Sequence, residues 1–161
     1  MIRYLLPLLL LFPFVAHAEE DVQFYAVGDT IAPITLKDQH DKTHSIDGST
    51  RLILFTTGMK GGAVVREAIE KEDPDYLAKR NAVFISNISG MPGFAAKMFA
   101  LPKMKKHAYS IVLDREGDAT KRFPSQDNST TIVQLDKLKI KSISYTKKPE
   151  EITQAINQLS E

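Results

Sequence analysis

The sequence predicts an α/β domain in which helices flank a mixed β-sheet on both faces. Three observations predict this class. An apolar run at residues 52–55 is followed by a glycine turn, a helical pattern and a second apolar run at residues 82–87, which together make a β-α-β unit. Two further strand patterns, at residues 130–135 and 139–145, face each other across a short turn. A helical pattern ends the sequence, and this order of elements favours a sheet covered by helices.

The first eighteen residues have the pattern of a secretory signal. Arg3 supplies the positive start, residues 5–15 form an apolar run, and Ala16-His17-Ala18 is a small-x-small cleavage site. The apolar run is shorter than the roughly 20 residues of a membrane-spanning helix, so no membrane insertion is expected after the signal is removed. Residues 19–161 are then expected to form one exported domain.

Charge and cysteine content exclude several classes of function. Lys and Arg total 21 and Asp and Glu total 20, and loss of Arg3 with the signal makes the two equal. This balance predicts no electrostatic attraction to nucleic acid or to an anionic membrane surface. The sequence contains no cysteine. Disulfide exchange and cysteine-based peroxide reduction both need a thiolate, so both activities are excluded.

The first elements of the domain predict a β-hairpin extension. Residues 34–36 end an extended segment, residues 38–42 form a polar turn, and Thr43 to Ile46 make the second strand. The apolar run at residues 52–55 is typical of a strand that is covered on both faces. The helix after the glycine turn has one apolar face, made of Val64, Val65, Ala68 and Ile69, and Pro74 marks its break or kink.

The segment after the second buried strand predicts a short helix. Pro92 suits a helix start, and Phe94, Met98 and Leu101 recur at a spacing that predicts one buried face before Pro102 ends the helix. A strand at residues 110–113 and a short helical piece at residues 119–123 are expected to follow. In the final hairpin, Lys139 and Lys141 suit an exposed edge strand. The last helix begins at Pro149, and its apolar face consists of Ile152, Ala155, Ile156 and Leu159.

Two stretches resemble a known superfamily. Residues 27–46, VGDTIAPITLKDQHDKTHSI, resemble the N-terminal segment of peroxiredoxins and exported thiol-disulfide oxidoreductases of the thioredoxin superfamily, and LILFTT at residues 52–57 resembles their strand before the active turn. Most of residues 19–161 are similar to the YtfJ-type proteins, small periplasmic thioredoxin-fold proteins of Gram-negative bacteria. The residues that carry this likeness are Pro92-Gly93, Ile111 to Asp114, Gly117 and residues 126–136. The resemblance implies a thioredoxin-like fold and a periplasmic location.

The resemblance also indicates where a functional surface lies. The cysteine pair of redox-active relatives falls near Lys60 and Ala63, and Ser129 stands where those relatives have a cis-proline. No catalytic residue is carried over, because both cysteine positions lack sulfur. In the superfamily this surface holds extended chains by backbone pairing. The resemblance therefore implies a groove for an extended peptide or a periplasmic protein, lined by Gly58, Met59, Lys60, Gly61, Gly62 and Ser129.

Two ion sites stay open on the sequence alone. The turn from Lys60 to Gly62 precedes or begins a helix, where free N–H groups favour a phosphate or a carboxylate, although glycines also let a turn bend tightly. His40 and His44, with Asp38 and Asp41, offer ligands to a divalent metal, although polar turns are commonly rich in these residues.

A third pattern suggests copper handling. Met91, Met98 and Met104 lie near His107, although methionine on a helix is more often core filler.

The expected function is a redox-inactive, exported binding or accessory module that needs no cofactor. The alternative is a small-anion or metal-binding protein, or a non-thiol enzyme that uses the Lys60–Gly62 turn.

Overall fold

A computed structural model describes residues 22–160, and the predicted signal at residues 1–18 lies outside the described residues. The helix that we call α2 covers residues 93–104 and joins three consecutive helical pieces, Gly93–Ala95, Ala96–Ala100 and Leu101–Met104. The other elements are β1 (Ile34–Asp38), β2 (Thr43–Ile46), β3 (Leu52–Thr56), α1 (Met59–Ile69), β4 (Ala82–Asn87), β5 (Val112–Asp114), β6 (Thr130–Asp136), β7 (Lys139–Thr146) and α3 (Pro149–Asn157).

All seven strands form one mixed sheet in the order β2-β1-β5-β4-β3-β6-β7. The central strands β3, β4 and β5 are parallel, and the remaining pairs are antiparallel. This arrangement confirms the β-α-β unit, the N-terminal hairpin extension and the late antiparallel pair. The carboxyl ends of the three parallel strands lie at the same edge of the sheet, where open α/β folds commonly bind ligands.

The two faces of the sheet are covered differently. On one face, alternate residues of β3 and β4 pack against Val65 and Ile69 of α1 and against Ile152 and Ile156 of α3. On the other face, the core contains Ile31 and Phe123 from non-helical segments and no residue of a described helix. The expectation of helices on both faces therefore holds for one face only, because the N-terminal segment and the loop before β6 bury the second face.

Strand β5 begins at Val112, two residues later than expected, because a side chain replaces part of the ladder. The buried amide of Gln39 donates through Nε2 to the carbonyl of Tyr109 at 2.7 Å, and its Oε1 accepts from the N–H of Ile111 at 2.7 Å. Residues 119–123, expected to be helical, form turns and a bend, and Phe123 N donates to Thr120 O at 2.9 Å.

Helix α2 differs from its expectation in two respects. It continues past Pro102 to Met104, because its middle piece is a π-helix in which Leu101 N donates to Ala96 O. A wider turn at this point separates the proline ring from the carbonyls of the preceding turn. Phe94 and Met98, expected to be buried, are 72% and 57% exposed, whereas Ala96 is the buried residue of the helix.

Helix α2 belongs to an excursion from the sheet that leaves at Ile88 and returns at Ile111. The ends of this excursion are adjacent, since β4 and β5 are neighbours and Ile88 N donates to Asp114 O at 2.9 Å. Leu101 and Met104 pack against the core and hold the helix in place. Within residues 22–160, the structure has no helix that is both long and apolar enough to cross a membrane.

Candidate functional site

The glycine turn after β3 is held tightly against the start of β6. Gly58 precedes the first residue of α1 in an extended conformation, and Gly62 N donates to Gly58 O at 3.1 Å. Thr130 Oγ1 donates to Gly61 O at 3.0 Å. A Cβ atom added at Gly61 would overlap the carbonyl of Ser129, so only glycine allows α1 and β6 to approach this closely.

Ser129 lies in contact with Gly61 and is only 7% exposed. Its N–H donates to Gln126 O at 3.3 Å, and its Oγ donates to the same carbonyl at 2.8 Å. No peptide bond in the described part of the chain is cis. The structure thus brings Gly61 and Ser129 into direct contact and uses the Ser129 N–H internally. The groove lined by residues 58–62 and Ser129 stays a prediction.

An open cavity lies on the other side of the glycine turn, at the carboxyl ends of β3 and β4. Its volume is about 570 Å³, which is within the range of ligand pockets, about 300–1,000 Å³. We call it the α1–α2 cavity, because it is bounded by the start of α1 and by the excursion that carries α2. Three residues of the predicted groove, Gly58, Met59 and Gly62, line it, whereas Lys60, Gly61 and Ser129 do not.

The walls of the α1–α2 cavity combine apolar and cationic groups. The apolar side chains include Phe84, Ile88, Met91, Met104 and Ile111, and Thr57, Ser86 and Asn87 add neutral polar groups. The charged or chargeable side chains are Arg66, Lys103 and His107, and no acidic residue is among the lining residues of the described chain. The cavity is therefore suited to an apolar group that carries, or lies beside, a negative charge.

Tyr109 adds a hydrogen-bonding group to the wall of the cavity. Its ring stacks on the His107 ring at a centroid distance of 5.1 Å. Burial raises the pKa of the Tyr109 phenol to about 12. Since the phenol keeps its proton at neutral pH, it is a potential donor to a ligand oxygen.

Comparison with solved structures identifies the fold. The peroxidoxin BcpB from Mycobacterium tuberculosis is similar with 14% sequence identity and a TM-score of 0.54, over 83% of this chain and 96% of that chain. StoA from Bacillus subtilis has 14% identity and a TM-score of 0.54, over 77% and 96% of the two chains. The thioredoxin domain of a thiol-disulfide oxidoreductase from Bacteroides vulgatus has 15% identity and a TM-score of 0.51, over 85% and 99%.

The chain has a thioredoxin-like fold. No family model matches the sequence, and no curated protein matches it either. At these sequence identities the likeness shows the fold alone. The thioredoxin-like domain cannot carry out thiol-based redox chemistry, because the whole sequence contains no cysteine and therefore no thiolate.

The predicted metal ligands lie in the β1–β2 turn of the thioredoxin-like domain. His44 Nε2 lies 2.8 Å from Asp38 Oδ2, and the side chain of His40 is exposed. Burial acts to raise the pKa of Asp38, but hydrogen bonds from His44 and from the N–H groups of His40 and Lys42 outweigh it and lower the pKa. Among the described residues, no group of three or more His, Cys, Asp or Glu side chains is placed to hold a metal ion, and the His40–His44 site stays a prediction.

The other two ion sites predicted from sequence also stay predictions. Met91, Met104 and His107 line the α1–α2 cavity together, whereas Met98 lies on the exposed side of α2. Lys60 is exposed, and α1 has no side-chain cap and no acidic residue in its first turn. These features leave the first N–H groups of α1 without a described side-chain acceptor, but they do not distinguish an anion site from an ordinary exposed helix start.

Sequence reasoning missed the wall of the cavity that the excursion provides. Ile88, Met91 and Met104 were not grouped with the glycine turn, since more than twenty residues separate each of them from Gly62. The predicted order of strands and helices could have indicated this wall. In a sheet with parallel central strands, the loops after β3 and β4 meet at one edge, and that edge is the usual place of a ligand site.

Proposed function

We propose that this protein is a redox-inactive, thioredoxin-like binding module of the YtfJ type, exported to the periplasm, and that it holds an extended peptide or a segment of a partner protein at the α1–α2 cavity. The observation that carries the proposal is the cavity itself. It lies beside the glycine turn, is open to solvent, and has apolar walls that a soluble domain would otherwise bury.

The contact between Gly61 and Ser129 favours binding at the cavity over backbone pairing at Ser129. Backbone pairing at Ser129 is unsuitable, because its N–H already donates to Gln126. Met59 is 83% exposed and also lines the cavity, so a bound segment would cover it and place an apolar side chain between Phe84 and Met104. Binding then relies on shape and apolar burial and requires no covalent step.

The proposal is tested with a random-peptide library displayed on phage and captured on the immobilised chain from residue 19. Ala100 lines the cavity and is only partly exposed, so Ala100→Phe fills the space that a ligand would occupy. Peptides selected on the parent chain should bind Ala100→Phe at least about tenfold more weakly, which corresponds to about 1.4 kcal/mol.

Ala26→Phe is the matched control, because Ala26 is exposed and lies outside the cavity lining. This variant should bind the selected peptides like the parent chain, and thermal unfolding should show that both variants are folded. The proposal fails if no peptide is enriched above the uncoated surface, or if the enriched peptides bind Ala100→Phe and the parent chain equally well.

A further inference from the structure

The outer side of α2 exposes an apolar patch that the core does not use. Phe94, Met98 and Phe99 are 72%, 57% and 61% exposed. The rings of Phe94 and Phe99 lie 6.3 Å apart in an edge-to-face arrangement, so the patch is continuous across one turn of the helix. Two adjacent exposed phenylalanines on a soluble domain indicate an interaction surface.

The charged residues of the sequence segment that carries this patch have one sign. The sequence from residue 76 to residue 113 contains no Asp or Glu. Within the excursion, the lysines at positions 97, 103, 105 and 106 are all exposed. Lys97 and Lys103 lie on α2, and Lys105 and Lys106 lie in the turn that follows it. The near-zero net charge of the whole chain therefore conceals a locally cationic excursion, and the expectation of no attraction to an anionic membrane surface, which rests on net charge, does not describe this segment.

We propose that α2 adsorbs this protein to the surface of an anionic lipid bilayer. The phenylalanines and Met98 would enter the boundary between headgroups and acyl chains, and the lysines would contact the lipid phosphates. A basic helix with exposed aromatic residues has the composition of an interfacial membrane helix. The inner side of α2 is occupied by Ala96, Leu101 and Met104, so adsorption needs no unfolding of the domain.

Membrane adsorption and the proposed peptide site use different apolar side chains. Adsorption uses Phe94, Met98 and Phe99, none of which lines the α1–α2 cavity, and of the four lysines only Lys103 lines it. The Ala100→Phe variant should therefore lose peptide binding and keep membrane binding. Conversely, substitutions of the outer patch should leave peptide binding unchanged.

The test is flotation of the chain from residue 19 with vesicles of phosphatidylglycerol mixed with phosphatidylcholine, and with vesicles of phosphatidylcholine alone, at low and high salt. We expect binding to the anionic vesicles at low salt, weaker binding at high salt because surface charges are screened, and no binding to phosphatidylcholine. Equal binding to both vesicles, or no binding to the anionic vesicles at low salt, overturns the proposal.

Two pairs of variants locate the surface. Phe94→Ser with Phe99→Ser should abolish flotation, whereas Phe24→Ser with Val27→Ser, which removes exposed apolar groups elsewhere, should not.

Lys97→Glu with Lys105→Glu should weaken binding by about fivefold or more for each lysine. Lys139→Glu with Lys141→Glu, the same charge change on the edge strand β7, should leave binding unchanged. If the β7 pair weakens binding as much as Lys97→Glu with Lys105→Glu, adsorption does not occur through α2 and the turn that follows it.

Discussion

Single residues decide how closely α1 approaches β6. At Gly61 the backbone of Ser129 leaves no room for a Cβ atom, whereas the nearest atom to a Cβ at Gly62 is Phe84 Cζ at 4.0 Å. Both glycines lie in the first turns of α1, so their helix propensities are equal. The difference between them is one of packing alone.

Alanine substitutions at Gly61 and Gly62 should change the free energy of unfolding in opposite directions. Gly61→Ala should lower the free energy of unfolding by about 1–3 kcal/mol, because α1 or the segment at Ser129 must move. Gly62→Ala should raise the free energy of unfolding by about 0.5–1 kcal/mol, because alanine favours the helix. Urea unfolding of both variants measures the difference. Equal effects of the two substitutions would show that the contact between Gly61 and Ser129 does not constrain the fold.

At the scale of residues, the sequence indicated which positions correspond to those of redox-active relatives, but it did not predict which residues touch. The resemblance placed Ser129 opposite the turn at Gly61, and the two residues are in contact in the structure. It did not reveal that the two residues touch, because the distance between two backbones depends on packing that no local pattern encodes. Nor did it reveal the amide of Gln39 in the ladder, since a glutamine in a polar turn is ordinarily exposed.

At the scale of elements, the β1–β2 hairpin is closed by one carboxylate. Asp38 accepts hydrogen bonds from His40 N at 2.8 Å, from Lys42 N at 3.0 Å and from the His44 ring at 2.8 Å. Its pKa is lowered in the folded protein, so the folded state prefers the ionised form more than the unfolded state does. The stability that Asp38 contributes is present above its ordinary pKa of about 3.9 and is lost as the pH falls through the lower folded value.

Asp38→Asn should therefore have a pH-dependent effect. At neutral pH it should lower the free energy of unfolding by about 1–2 kcal/mol, because hydrogen bonds to a charged acceptor are lost. The difference from the parent protein should shrink below about pH 4. Denaturant unfolding over a series of pH values measures this change. Asp41→Asn, which removes an exposed ion pair with Arg115, is the control and should cost less than about 1 kcal/mol at any pH. A pH-independent effect of Asp38→Asn would contradict the assignment.

Helix α2 is the element for which sequence pattern was least reliable. The spacing of Phe94, Met98 and Leu101 suggested that the largest apolar side chains face inward, but the small Ala96 is buried and the phenylalanines are outside. A periodicity argument assumes that burial drives the pattern. Where a helix uses its apolar side chains for an external contact, the same pattern predicts the wrong face.

At the scale of the whole molecule, stability comes from packing and not from disulfide bonds. The seven-stranded sheet and its two core clusters hold the domain together without a disulfide, since no cysteine exists to form one. The central strands β3 and β4 were predictable because continuous apolar runs are typical of buried strands. The cover of the second face was not, because the N-terminal segment buries it with scattered residues such as Ile31 that have no periodic signal.

At this scale we predict that a reducing agent has no effect on the protein. Dithiothreitol should leave the thermal unfolding midpoint unchanged, and the protein should reduce neither insulin disulfides nor hydrogen peroxide. Lys60→Cys with Ala63→Cys serves as the comparison, because it restores two thiols at the positions that the resemblance implies. This variant should acquire an unfolding midpoint that depends on reductant. Reductase activity in the cysteine-free protein would contradict a role based on binding alone.

The adjacency of β4 and β5 has a consequence for how such a domain can diversify. The excursion between them provides α2 and much of one cavity wall, yet it departs from and rejoins the sheet at neighbouring positions, where Ile88 N meets Asp114 O. A replacement of different length or composition could be inserted between the same two anchors while the scaffold stayed intact. Replacement of this one segment during evolution would thus change α2 and the cavity wall together, without altering the strands that support them.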